Sequence, residues 1–408
     1  MYTKIPVKQG LPAKLQNIQY EIRGPLQQVA DEMEQRGESI LRLNIGNPAP
    51  FGFRAPEHLL HTYMDRLTET EGYSDSKGLL NARQAIVAYC RKKGMEPHGT
   101  ETVYTGNGVS ELILMSMQAL LETGEEVLIP APDYPLWTGA VRLAGGRAVH
   151  YICDEAAGWY PDIADIERKI SGRTRGIVLI HPNNPTGALY PPGLLSQIGE
   201  IARRHGLIVF ADEIYDRLVM DGQTHVAVAA AVPDVPVVSL GGLSKSHLIS
   251  GFRCGWMCLC GDWSGQEGFI QGINLLTSMR LCSNVPSQAI IPEALSAEEE
   301  MQALLAPGGR IYRQREAICQ GLSRIPGVSV CQPAAGFYVF PKVDMRLYPA
   351  FDDHAFALRL LEMERILVTP GTGFHWERPD HFRIVFLPGE KELLYAADRI
   401  GAVLQTFG

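Results

Sequence analysis

From about Thr102 onward the chain repeatedly places a short, almost wholly apolar run ahead of a helix-length segment, and several of these runs end on polar residues. The runs are 127–130, 148–152, 176–181, 207–212 and 235–240, followed by 256–260, with helical stretches such as 110–121 and 194–205 between them. A strand with one wet face alternates apolar and polar residues, whereas a strand apolar throughout is buried on both faces. The pattern therefore predicts an α/β fold with a mostly parallel sheet between layers of helices. Such sheets gather ligands at the carboxyl ends of their strands, so the polar residues that close each run become the candidates for chemistry.

Four run ends stand out. His181-Pro182-Asn183-Asn184-Pro185-Thr186-Gly187 follows one strand, and Asp212-Glu213-Ile214-Tyr215 follows the next. Val237-Val238-Ser239-Leu240 breaks at Gly241-Gly242 and then presents Ser244-Lys245, with Arg253 eight residues further on, just before the last run. A lysine where a buried strand ends can have its ammonium form disfavoured by desolvation and so serve as an amine nucleophile. Arginine suits a phosphate held by paired hydrogen bonds. An amine beside a phosphate anchor is what a Schiff-base cofactor requires. Each residue also has an ordinary reading: Asn-Pro as a turn, Asp as a helix N-cap, Lys245 and Arg253 as solvated surface groups. Four in succession on one parallel sheet favour a shared site.

Other functional classes are excluded on composition and spacing. A formal charge of −8 with no long basic run argues against nucleic acid or an anionic membrane as partner. No apolar run approaches the length that spans a bilayer, and the first fifteen residues carry no signal-peptide pattern, so a cytoplasmic protein is expected. Eight cysteines in 408 residues are too sparse for a disulfide framework. Cys254, Cys258 and Cys260 lie in an apolar run without a Cys-x-x-Cys pair and read as buried thiols, so no metal is expected. Gly106-Asn107-Gly108 begins like a dinucleotide fingerprint, but the third glycine position is Glu111, whose charge would repel a pyrophosphate.

At this point the chain resembles a known family. Asn183-Asn184-Pro185-Thr186-Gly187, Asp212-Glu213-Ile214-Tyr215 and Ser244-Lys245 with Arg253 are similar to the motifs of fold type I, pyridoxal-phosphate-dependent aminotransferases, over nearly the whole chain. Tyr20-Glu21-Ile22-Arg23-Gly24-Pro25, the stretch 43–53 and Pro130-Ala131-Pro132-Asp133-Tyr134-Pro135-Leu136-Trp137 are closest to the bacterial glutamate–pyruvate (alanine) branch. The resemblance implies a large domain, 46–292, with a mostly parallel seven-stranded sheet, a smaller α+β domain, 293–408, and an N-terminal segment, 1–45, packed with the small domain.

It also implies roles. Lys245 would carry pyridoxal 5′-phosphate as a Schiff base and move the proton at the substrate Cα; Asp212 would pair with the ring nitrogen. Asn184 and Tyr215 would hydrogen-bond the phenolic oxygen, and Tyr134 would stack on the ring. Gly108, Val109 and Ser110 would offer a helix N-terminus to the phosphate, with Arg253 and Ser244 beside it. The hydroxyl that many relatives carry three residues before the lysine is replaced here by Gly242. Arg383, with Gly46 and Asn184, would hold the substrate α-carboxylate, and Arg23 with Tyr20 is the candidate for a distal carboxylate. Tyr73 would reach the neighbouring subunit's phosphate, implying a homodimer with shared sites. The expected reaction passes an amino group from L-alanine to 2-oxoglutarate in two half-reactions. The alternatives are a broader, aromatic or branched-chain specificity, or a C–S lyase on the same fold. A transcriptional regulator built on this fold would carry a DNA-binding domain ahead of it, and almost nothing precedes residue 17.

Overall fold

A computed structural model describes residues 10–16, 18, 20–296 and 299–408. Of the fifteen residues that the signal-peptide expectation concerns, 1–9 lie outside them. Eight strands form the large sheet: β1 (Val103–Asn107), β2 (Glu126–Ala131), β3 (Arg147–Asp154), β4 (Tyr160–Pro161), β5 (Thr174–Ile180), β6 (Ile208–Asp212), β7 (Val237–Gly242) and β8 (Cys254–Cys260). Their order is β1-β8-β7-β6-β5-β2-β3-β4. β7, β6, β5, β2 and β3 run parallel, β8 is antiparallel to both its neighbours, and the two-residue β4 closes the edge antiparallel to β3. The architecture is thus the expected one, with seven long strands and a short edge piece.

The strands are apolar because both faces are covered. Along β6, Val209 and Ala211 face one core with Val103, Leu128, Ile177 and Cys258 from other strands. Ile208 and Phe210 face the other, with Tyr104, Ile129, Val178 and Met257. This is the period-two alternation of a pleated strand, with hydrophobic residues on both sides. Among the described residues no helix is long and apolar enough to cross a membrane.

A third core gathers Leu26, Ala30 and Met33 of the helix Pro25–Gln35 with the C-terminal third of the chain, including Ile318, Phe356, Phe382 and Ile400. Leu41–Arg42 pairs in parallel with Ile366–Leu367, so the chain's early and late segments share one layer. The charged region after residue 298 is two helices, Glu299–Leu305 and Arg310–Ser323, parted around Pro307 and two glycines. Proline cannot donate to the helical ladder and glycine favours the turn.

Candidate active site

The register of neighbouring strands brings the candidate residues together. Ile180 pairs with Asp212 and Asp212 with Leu240, so the ends of β5, β6 and β7 lie side by side. Asp212 is buried, and its Oδ2 accepts from Trp137 Nε1 at 3.1 Å. Its Oδ1 has no hydrogen-bond partner among the described residues. Burial drives the Asp212 carboxyl up to about 6, against the opposing pull of the Trp137 donor and the Ile214 backbone amide. A buried carboxylate oxygen left without a donor is a place for a cationic or N–H group to bind. Glu213, next in sequence, points elsewhere: its carboxylate accepts from Ser239 Oγ and from the Val228 amide.

Lys245 sits on a one-turn helix, Leu243–Ser246, directly after β7. Its ammonium donates to the Gly46 carbonyl at 2.7 Å and finds no carboxylate partner among the described residues. Gly46 is tight against Tyr338; a Cβ there would lie 2.2 Å from the Tyr338 hydroxyl. That hydroxyl is 2.8 Å from Tyr215 Oη, linking the residues after β6 to the strand Tyr338–Val339.

Arg383 is buried with its guanidinium 4.6 Å from the ring centres of both Tyr338 and Phe374. It donates from Nη1 to Asn184 Oδ1 at 2.9 Å and from Nη2 to the Asn44 carbonyl, while Nε is without a partner among the described residues. The flanking rings stabilise the cation without hydrogen-bonding its N–H groups. The adjacent asparagines divide their tasks. Asn183 Oδ1 accepts from the Thr186 amide and hydroxyl, closing the turn, and Asn184 faces Arg383. Tyr134 is joined to Tyr20 by a 2.9 Å hydroxyl contact and lies in the field of Asp212 and Tyr338.

The Gly106–Gly108 turn leads into the helix Val109–Leu120, whose N-terminus no side chain caps. Gly108 has φ +81, and a Cβ on it would meet Arg253 Nη2 at 2.2 Å. Arg253 is held there by the Ser250 and Asn107 carbonyls at 2.8 and 3.2 Å. A Cβ on Gly255 would meet the Val109 amide nitrogen at 2.6 Å. Open amides, a helix dipole and a guanidinium thus converge on one cradle suited to a phosphate dianion. Glu111 does not spoil it, because its carboxylate turns back onto the Asn107 amide and side chain and pairs with Arg280.

The glycine at 242 has a physical reason. It pairs with Gly255 across β7 and β8, and a Cβ would come within 2.7 Å of the Cys254 carbonyl. No side chain fits, so no hydroxyl can come from this position. Ser244 is buried in the turn before the lysine. Val109 and Ser110 begin the helix as expected.

Two expected residues do not join this cluster within one copy of the chain. Arg23 is exposed on the turn Glu21–Arg23, and Tyr73 is 82% exposed. His181 and His247 are buried and hydrogen-bonded to backbone carbonyls; burial lowers them to about 3 and about 4, so they are neutral structural groups. Trp137, Asn44, Tyr338 and Phe374 were not singled out from the sequence. Trp137 carried a signal, since a buried indole N–H needs an acceptor. Tyr338 lies in a run that reads as plain strand.

The fold and this cluster define the protein: the chain belongs to the class I and II aminotransferases, whose family model matches residues 38–400. It is 50% identical over 395 residues to the glutamate-pyruvate aminotransferase AlaA of Escherichia coli K12, covering 97% of this chain and 98% of that protein. It is 48% identical over 396 residues to the alanine aminotransferase of Mycobacterium tuberculosis H37Rv, covering 97% and 92%. Among solved structures, an aminotransferase from Escherichia coli superposes with a TM-score of 0.96 at 47% identity, covering 99% of both chains. An alanine aminotransferase from Pyrococcus furiosus gives 0.90 at 35% identity, covering 97% of this chain and 100% of that one. Members of the family are pyridoxal-phosphate-dependent.

Proposed function

We propose that this enzyme binds pyridoxal 5′-phosphate and transfers the amino group of L-alanine to 2-oxoglutarate, giving pyruvate and L-glutamate. The observation that carries the reading is the Asp212 Oδ1, buried and unpartnered, at the end of the strand beside the one that leads to Lys245. With the glycine-lined cradle at Gly108 and Gly255, it matches a ring nitrogen at one end and a phosphate at the other. The likeness to alanine-named relatives over 97% of the chain supports the choice of substrates.

When bound, the cofactor supplies a carbonyl that takes the amino group and a protonated ring that accepts electrons from the substrate Cα–H bond. The residues supply the rest. Lys245 would hold the cofactor's carbonyl carbon and, as a free amine, would take and return the proton at the substrate Cα. Asp212 would keep the ring nitrogen protonated. Asn184 and Tyr215 would donate to the phenolic oxygen, and Tyr134 would cover the ring face. The Gly108, Val109 and Ser110 cradle would take the phosphate, with Arg253 as counter-charge and Ser244 beside it. Arg383, with Gly46 and Asn184, fixes the α-carboxylate, which orients the Cα–H bond. Arg23, exposed on its N-terminal turn, closes on the second carboxylate of glutamate, with Tyr20 beside it, and stays in water when alanine is bound.

Tyr73 reaches the phosphate of a second copy. Its exposure, with that of Leu80, Leu275, Met279 and Leu281, supports a homodimer with shared sites. The large and small domains divide near residues 46 and 293, with the N-terminal segment on the small domain, and the protein works in the cytoplasm.

The reading is tested with purified enzyme, single additions of amino acids and the visible absorbance of the cofactor. L-Alanine and L-glutamate are expected to convert it to the amine form, and Lys245→Ala to abolish the conversion. Pyruvate and ammonia release from sulfur amino acids without an oxo-acid acceptor would refute transfer as the function. Equal loss of alanine and glutamate turnover in Arg23→Gln, or loss of neither, would refute the role of Arg23.

A further inference from the structure

Tyr134 is held at both ends, and the second hold comes from the small domain. The turn Gly371–Phe374 is followed by His375, at φ +55. Two bonds fasten this corner to the residue before Tyr134: the Asp133 amide donates to the Phe374 carbonyl at 2.9 Å, and His375 Nδ1 lies 2.8 Å from Asp133 Oδ1. Thr138 Oγ1 donates to Asp133 Oδ2 at 2.7 Å, and His150 Nε2 lies 3.7 Å from the same oxygen. Burial raises the fully buried Asp133 carboxyl, but His375 and His150 outweigh it and bring it down to about 2, so it is an ionised acceptor.

Asp133, His150 and His375 have the composition of a metal site, their ligand atoms within 4.8 Å of one another. Their geometry is not that of one. The two imidazoles stack with centres 4.7 Å apart and planes 18° apart. An imidazole lone pair lies in its ring plane, and two nearly parallel planes do not meet at one ion at coordination distance. The cluster is a hydrogen-bonded hub.

The hub joins substrate-binding parts that are far apart in sequence. Phe374 packs its ring under the Arg383 guanidinium, and its carbonyl holds Asp133. Glu21 of the N-terminal turn packs on Gly373, where a Cβ would meet it at 2.6 Å. Tyr20, next to Glu21, bonds the Tyr134 hydroxyl.

We propose that His375 is a positioning residue for the amino-transfer reaction. Through the Asp133 carboxylate it fixes the angle at which Tyr134 covers the cofactor ring, locking that ring to the turn that supports Arg383. The inference rests on the reading that Tyr134 stacks on the cofactor. A histidine at this corner holds the loop from across the domain boundary, so the cofactor face and the carboxylate anchor are set together.

The test compares His375→Gly, which suits the positive φ and removes the donor, with His375→Asn, whose side-chain amide can still donate to Asp133. Holoenzymes are prepared in wild-type and Tyr134→Ala backgrounds. Cofactor dissociation constant, visible circular dichroism of the bound cofactor and melting temperature of the cofactor-free protein are measured. His375→Gly is expected to weaken cofactor binding roughly tenfold, the scale of one lost hydrogen bond to a charged group, and to change the dichroism. His375→Asn is expected to stay within about threefold of wild type, and His375→Gly to add nothing once Tyr134 is alanine. The proposal is overturned if His375→Gly lowers only the melting temperature, if Asn and Gly are equally weak, or if the loss persists in Tyr134→Ala. If Tyr134→Ala itself leaves cofactor binding unchanged, the stacking role fails instead. Should His375→Gly not fold, Thr138→Val frees the other side of the same carboxylate and is expected to give a smaller loss that also vanishes in Tyr134→Ala; a loss that persists there overturns the proposal.

Discussion

Replacing Asp212 by asparagine tests the centre of the site in two opposite directions. The carboxyl titrates near 6 in the folded chain because it is buried, against an ordinary value of 3.8. A rise of about two units corresponds to about 3 kcal/mol by which the cofactor-free fold disfavours the ionised form. The sign follows from linkage. Below pH 4 the carboxyl is protonated whether folded or not, and the penalty is absent. It grows between pH 4 and 6 and is complete above 6. Cofactor-free Asp212→Asn is therefore expected to be more stable than the parent at pH 8, by up to about 3 kcal/mol, and no more stable at pH 4. With cofactor bound the order reverses. A cation at the ring nitrogen must recover at least that penalty, so the variant loses on the order of 10²-fold or more in the rate at which alanine converts the cofactor. Urea melts of the cofactor-free proteins at pH 4, 6 and 8, with single-turnover absorbance of the holoenzymes, give both numbers. A variant that reacts within fivefold of the parent, or whose cofactor-free stability tracks the parent at pH 8, would refute the reasoning.

Arg383→Lys keeps the charge but loses the planar fork between Tyr338 and Phe374; KM for alanine and glutamate is expected to rise together by about 10²-fold, in steady-state kinetics, with folding retained. Gly242→Ser is expected to destabilise by about 1–3 kcal/mol in denaturant melts and to leave cofactor affinity no better, since its Cβ would strike the Cys254 carbonyl. Asp216 is held at about 2: burial raises it, but Lys93 at 2.7 Å and His225 overcome this. Its folded value lies below its unfolded one, so its contribution is present above pH 4 and lost as pH falls towards 2. Asp216→Asn should flatten the acid limb of the stability curve and lower stability at neutral pH.

The large sheet was legible because a strand buried on both faces is apolar throughout, and a polar residue at its end then stands out. Asp212, Lys245 and the Asn183-Asn184 pair were found that way. The first strand, Val103–Asn107, was not picked out, since Thr105, Gly106 and Asn107 break the apolar run before the turn at Gly108. The reversal of Cys254–Cys260 leaves no mark either, because a fully buried strand reads alike in both directions. Composition and periodicity do not tell neighbouring polar residues apart; only the family motifs separated them. Asn183 and Asn184, or Asp212 and Glu213, differ only in which way the chain turns after the strand. The partners of Arg383 were hidden because Tyr338 and Phe374 look like core residues until the fold brings them to a charge, and the indole N–H of Trp137 called for an acceptor without saying which. Gly242 had no explanation until its cross-strand neighbour Gly255 was known.

The pairing of Leu41–Arg42 with Ile366–Leu367 has a consequence for how the protein is made. All eight strands of the large sheet lie between residues 103 and 260, so that sheet can close while the C-terminal third is still being synthesised. The helix Pro25–Gln35 and the strand after it cannot. Most of their partners emerge last, and until then Leu26, Ala30, Met33 and Leu43 have only Phe53, Tyr215, Leu218, Met220 and Leu248 of this core to meet. The helix Pro25–Gln35 and the strand after it, made early, are therefore among the last parts of the chain to be fully packed.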